Sequence, residues 1–119
     1  MPYTPAQFEN LVQEFHTRET ALLNWKAGEY ADDIDRLLNF NEVGSFTGHT
    51  PEEVTFVYLL KHIHSIKNAI NSSSYTWEWE TVAGEGLKQR IADARNYLLL
   101  LAACIDQQVT HKKGGQHNV

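Results

Sequence analysis

The chain has 119 residues, 42% of them hydrophobic and 21% charged, a balance that excludes a disordered tail and fits one globular domain with a buried core. Lys and Arg number 10 against 15 Asp and Glu, for a net charge of −5, so broad attraction to nucleic-acid backbones or anionic membranes is not expected, and any phosphate site must be local. A single cysteine, Cys104, leaves no internal disulfide to form, which favours a reducing compartment. The amino terminus carries no basic segment followed by an apolar run. The longest apolar stretch, Tyr97 to Ile105, is far shorter than the roughly 20 residues of a membrane span, and a cytosolic location is expected.

Thr4 and Pro5 read as the N-cap and first position of a helix. Phe8, Leu11, Val12, Phe15 and Leu22 fall on one face of it, and Gly28 ends it after about Ala27. A shorter second helix is predicted from about Glu29 to Asn39, with Tyr30, Ile34, Leu37 and Leu38 inward and Asp32, Asp35, Arg36 and Asn39 on another side. Asn41 to His49 holds Gly44, Ser45 and Gly48 and reads as a loop.

Thr50-Pro51-Glu52-Glu53 is a strong helix start: Thr at the N-cap, Pro at the first position, and Glu53 three residues after the cap to close a capping box. The third helix reaches about Asn71. Phe56, Leu59, Leu60, Ile63, Ile66 and Ile70 form its expected core stripe, while Tyr58, Lys61, His62 and Ser65 share a different face. Between Tyr75 and Gly86 the alternating Tyr-Thr-Trp-Glu-Trp-Glu pattern, with Trp77 and Trp79, suits either a short extended piece or an irregular loop. The fourth helix is predicted from about Gly86 to Gln108, with Leu87, Ile91, Ala94, Leu98, Leu101 and Ile105 as a packing seam. Leu98 to Ala103 is apolar almost all round, from which a homo-oligomer is expected. The chain is therefore predicted to be all-α: a compact bundle of about four helices with a Trp-containing connection before the last, forming one domain over 1–110 followed by a flexible tail over 111–119.

The common catalytic motifs are missing: there is no Gly-rich phosphate loop, no Gly-x-Ser-x-Gly elbow and no His-Glu-x-x-His pair. His62 and His64 are two residues apart, about 200° around a helix, and cannot grip one metal ion together. Lys61, His62 and Ser65 supply three donors on one face, suited to a phosphate, although charged helix faces commonly serve only to solvate a helix. Asp32 and Arg36 stand at helical i,i+4 spacing, which a surface ion pair would equally explain. Asp93, Asn96 and Tyr97 lie beside the packing seam, where a carboxylate and an amide need partners. Trp77 and Trp79 would stack on a planar ring or cover the core.

The helix Gln89-Arg90-Ile91-Ala92-Asp93-Ala94-Arg95-Asn96-Tyr97-Leu98-Leu99-Leu100-Leu101-Ala102 resembles the second signature helix of the all-α nucleotide pyrophosphohydrolases of the MazG type, whose pattern is Glu-x-x-Asp followed by a Tyr-Leu-Leu-rich run. Thr50-Pro51-Glu52-Glu53-Val54 is similar to the start of their first signature, Glu-Glu-x-x-Glu. The resemblance implies four acidic positions that bind magnesium, which bridges the phosphates and activates water. This chain departs at two of them: Phe56 stands where the last Glu of the first motif would fall, and Arg90 where the Glu paired with Asp93 would fall. An apolar ring and a cation in place of ligands weaken a divalent site, so the resemblance implies a nucleotide-binding bundle more than a working hydrolase.

Tyr30, Asp35, Arg36, Leu37, Asn39 and Phe40, then Thr50, Pro51 and Glu52, then Lys61 and His62, and finally Asp93, Asn96 and Tyr97 also resemble the shared pattern of a group of small bacteriophage proteins, some labelled nucleotide-modification-associated. That resemblance spans about two thirds of the chain and implies a setting, the infected bacterial host. The expected function is binding of a nucleotide-derived signal, such as a cyclic oligonucleotide or an ADP-ribose derivative, so as to sequester it from host defence without catalysis and without a cofactor. Lys61, His62 and Arg36 would meet phosphate. Asp35, Asn39, Asp93 and Asn96 would read ribose or base edges, Ser65 would add a donor, and Tyr97 or Trp77 would stack. Two alternatives stand beside it: a magnesium-dependent hydrolase using Glu52, Glu53 and Asp93, and a non-catalytic partner-binding bundle.

Overall fold

The computed structural model describes the backbone of residues 1–30, 37–73 and 75–117 and the side chains of 1–21, 37–73 and 75–110. Its class is all-α, with four helices and a two-stranded hairpin among the described residues. None of these helices is long and apolar enough to cross a membrane. The chain divides into two units, Met1–Arg36 and Leu37–Val119.

The first unit is built on α1, Pro5–Tyr30. Its start is the expected one. Thr4 Oγ1 accepts the Gln7 backbone N–H at 3.1 Å and Gln7 Oε1 accepts that of Thr4 at 2.8 Å, a reciprocal capping box with Gln in the Glu position. The helix runs through Gly28 instead of stopping there. One glycine costs a helix only about 1 kcal/mol relative to Ala, and no proline follows in the sequence before Pro51.

In the second unit, α2 spans Leu38–Thr47. The expected second helix, about Glu29 to Asn39, lies for the most part outside the described residues, and most of the segment expected as a loop, Asn41 to Thr47, is helical. Two glycines account for the difference. Gly48, at φ 77°, is the left-handed cap that ends α2. Gly44 is inside the helix because the chain turns back over it: a Cβ there would lie 2.6 Å from the His49 carbonyl oxygen.

The third helix, α3, spans Pro51–Ser72, and both halves of the predicted Thr50–Glu53 capping box are present. A short antiparallel hairpin follows, β1 Glu80–Thr81 paired with β2 Gly84–Glu85. The segment leading into it caps the next helix. The N–H groups of Gly86, Leu87 and Lys88 donate to the carbonyls of Trp79, Thr76 and Glu78 at 2.9, 2.9 and 3.2 Å, satisfying donors that a helix start leaves open. The last helix, α4, spans Leu87–His117, well past the expected end near Gln108.

The core of this unit is the α3–α4 seam. Thr55 and Cys104 are wholly buried, and Leu59, Leu87, Ala92 and Ala94 nearly so; small side chains at several of these positions let the helices approach closely. The predicted core stripe of α3 is rotated: of its six members Leu59 alone is buried and Ile66 half-buried, while Phe56, Leu60, Ile63 and Ile70 are exposed. The α4 seam is split in the same way, with Leu87 and Ala94 buried and Leu98 and Ile105 exposed. α2 lies along one flank of this pair, with Asn41 and Gln107 exchanging side-chain hydrogen bonds at 2.8 and 3.4 Å.

Candidate functional site

Rotation of α3 turns the face carrying Tyr58, Lys61, His62 and Ser65 towards α2 and α4. The His62 imidazole stacks on the Tyr97 ring, centroids 4.7 Å apart and planes 27° apart, and Tyr58 stacks on the same ring at 6.1 Å. Phe40 of α2 meets Tyr58 and Tyr97 edge-on at 6.2 and 6.3 Å. The Lys61 ammonium sits 5.3 Å from the centre of the Tyr58 ring, within cation–π range. Burial, followed by the neighbouring Tyr58 and Asp93, raises the Tyr97 pKa above the ordinary tyrosine value, so the phenol stays a neutral hydrogen-bond donor and acceptor through the physiological range.

Asp93 of α4 acts on Tyr97 from one turn before it. Asp93 is buried and accepts from Gln89 Nε2 at 3.0 Å. One turn on, Asn96 Oδ1 is buried and finds no hydrogen-bond partner. A buried acceptor left unpaired costs about 1–3 kcal/mol, and a ligand N–H or O–H would remove that cost. Beside the cluster, between α2 and α3, lies a cleft of about 310 Å³ whose lining includes Val43, Thr47, His49, Tyr58 and Lys61. Ligand pockets typically start near 300 Å³.

Of the residues singled out in the sequence, Lys61, His62, Asp93 and Tyr97 are therefore brought together, and Asn96 is buried on α4 next to Tyr97 in sequence. Asn39 lies exposed at the start of α2, next to Phe40. Asp35 and Arg36 lie outside the described residues. Ser65 is half-buried and accepts from Arg90 Nη1 at 2.7 Å, which draws it towards a guanidinium. Trp77 is half-exposed in the connection, with the Lys88 ammonium 5.3 Å from its ring centre. Tyr58 and Phe40 carry the aromatic floor of the site. Their sequence signal was spacing, since Tyr58 precedes His62 by one helical turn.

The acidic residues of the alternative metal set are not gathered: among the described residues no three His, Cys, Asp or Glu side chains converge as a metal site would require. The Glu53 carboxylate is held in the Thr50 cap, and the cap's backbone N–H keeps its pKa below the ordinary glutamate value. Glu52 Oε1 is buried without a partner, on the side of Cys104, whose thiol pKa its charge helps to raise. No protein-family model, curated protein or solved structure matches this chain.

Proposed function

We propose that this chain binds a nucleotide or nucleotide-derived signal on the α2 flank of the α3–α4 pair and holds it without turning it over. The observation that carries the reading is the His62–Tyr97–Tyr58 stack bordering the cleft lined by Tyr58 and Lys61, with Asn96 Oδ1, buried and unpartnered, next to Tyr97 in the α4 sequence. An orphan acceptor next to aromatic faces suits the amino edge of a base, or a ribose hydroxyl, attached to a stackable ring. Lys61, which lines the adjoining cleft, supplies the cation for phosphate. Commitment of Glu53 to the helix cap and of Asp93 to Gln89 favours binding over metal-assisted hydrolysis. The resemblance to bacteriophage proteins suggests the biological use: sequestration of a defence signal in the cytoplasm of an infected host.

The test is incubation with a panel of mononucleotides, cyclic dinucleotides and ADP-ribose, separation of bound from free material, and recovery of the ligand after denaturation. Intact ligand is the expected result, with affinity reduced about tenfold or more by Lys61→Ala, because a charge-assisted hydrogen bond is worth about 1.5–3 kcal/mol. New products that vanish with chelator would move the magnesium-dependent hydrolase to first place. No retention of any member of the panel would leave the partner-binding bundle as the better reading.

A further inference from the structure

The flank of the α3–α4 pair opposite α2 is largely apolar, broken on α3 by Lys67. On α3 it carries Phe56, Leu60, Ile63 and Ile70, at intervals of four, three and seven residues; on α4 it carries Leu98, Ala102, Ile105 and Val109, at intervals of four, three and four. Both are the 3.5-residue repeat of helices that pack along a seam. Ile63 lies roughly 140° around α3 from Tyr58, and Ile105 roughly 160° around α4 from Gln107, so α2, which meets Tyr58 and Gln107, leaves this side uncovered. The seven large side chains of the two stripes each keep between 46% and 56% of their surface exposed.

We infer that this flank is the contact between two copies of the chain, joined about a two-fold axis so that two α3–α4 hairpins form a four-helix bundle. Area supports this occupant. Seven half-exposed large side chains amount to on the order of 600 Å² per copy, the upper end of what a monomer ordinarily shows in one patch and close to the roughly 800 Å² per partner of a standard interface. Shape supports it too, because a face two antiparallel helices wide, with matching repeats, is self-complementary under a two-fold rotation. Two charges meet this face: Lys67 stands within the α3 stripe, four residues after Ile63, and Asp106 borders the α4 stripe beside Ile105, opposite signs that a contact between copies brings within reach of each other.

Light scattering on the purified chain at micromolar concentration should give twice the 13.6 kDa chain mass. Leu60→Glu and Ile105→Glu should each give a monomer of unchanged helical circular dichroism. If either variant unfolds, a nitroxide on Leu98→Cys in an otherwise unchanged chain decides the matter, with spin–spin broadening between copies expected. A wild-type particle of single-chain mass overturns the inference. If that particle's Leu60→Glu variant also loses helix, the flank is covered from within its own chain. A dimer that survives both substitutions, or a label showing no broadening, places the contact elsewhere and overturns it equally.

Discussion

The Thr55 hydroxyl meets the Cys104 thiol at 3.3 Å, and neither residue exposes any surface. The same hydroxyl lies 2.8 Å from the Pro51 carbonyl, to which it donates, so in the Thr55–Cys104 pair the thiol is the group left to donate. Burial is the largest influence on this thiol and raises its pKa.

The buried thiol should be inert to disulfide-exchange reagents at neutral pH in the native state and react at the rate of unfolding. It should also set an alkaline limit. A thiol whose folded pKa is raised stays protonated while the unfolded one ionises above about 8.5, so the unfolded state then binds fewer protons and stability falls as pH rises through that value. Tyr97, raised in the same direction, adds a second loss above about pH 10. Chemical denaturation between neutral pH and pH 10 checks the first, with Cys104→Ala removing its share of the slope. A flat profile in the wild type would contradict it.

At the acid end, the Thr50–Glu53 box should matter. The folded Glu53 pKa is lowered by the Thr50 backbone N–H, then by the Thr50 side chain. Its contribution is therefore complete above the unfolded glutamate pKa of about 4.3 and disappears as pH falls through the lower folded value. Glu53→Gln should flatten that limb in an acid titration followed by circular dichroism. Thr50→Ala should cost about 1 kcal/mol, the usual worth of an N-cap, at every pH above it.

Local signals fixed α3 at the sequence level: a cap, a proline and a box within four residues determine a start whatever packs around it. α2 falls where a loop is expected because Gly44 and Gly48 carry the same local signature as a loop, although one serves a close backbone approach and the other a helix cap. The rotated faces have a different origin. Periodicity separates apolar from polar sides, but it does not say which apolar side meets a neighbour of the same chain. In α3 the seam uses Thr55, Leu59 and Ile66, and the more hydrophobic stripe through Phe56 and Ile63 faces out. That same rotation is what carries Lys61, His62 and Tyr97 together, so the site residues were legible as a list and their convergence was not.

Two glycines separate steric need from backbone need. A side chain on Gly86 would overlap the Glu78 backbone carbonyl that caps α4, whereas around Gly48 there is open space and the constraint is φ 77° alone. Gly48→Ala should cost roughly 1–2 kcal/mol for the left-handed conformation. Gly86→Ala should cost more, because the backbone over 76–79 has to move and the donors of Gly86, Leu87 and Lys88 lose their carbonyls. Thermal melts rank the pair, and equal losses would show that this segment gives way easily.

Lys61 and His62 are neighbours in sequence and should behave oppositely on truncation. Lys61 is exposed and its ammonium rests over the Tyr58 ring, an exposed cation–π contact worth about 0.5–1 kcal/mol at most. His62 is half-buried and stacked on Tyr97 between the two longest helices of its unit, where an aromatic pair adds about 0.5–1.5 kcal/mol beyond its buried area. His62→Ala should therefore lower the melting temperature distinctly while Lys61→Ala leaves it nearly unchanged, and His62→Phe should restore most of the loss by replacing the ring. Nucleotide retention should follow a different order. Lys61→Ala should weaken it with the fold intact, and His62→Phe should keep the stack but remove the imidazole nitrogens from any ligand edge. If Lys61→Ala melts early and His62→Ala does not, the two residues have exchanged roles and the aromatic floor of the site is not the His62–Tyr97 stack.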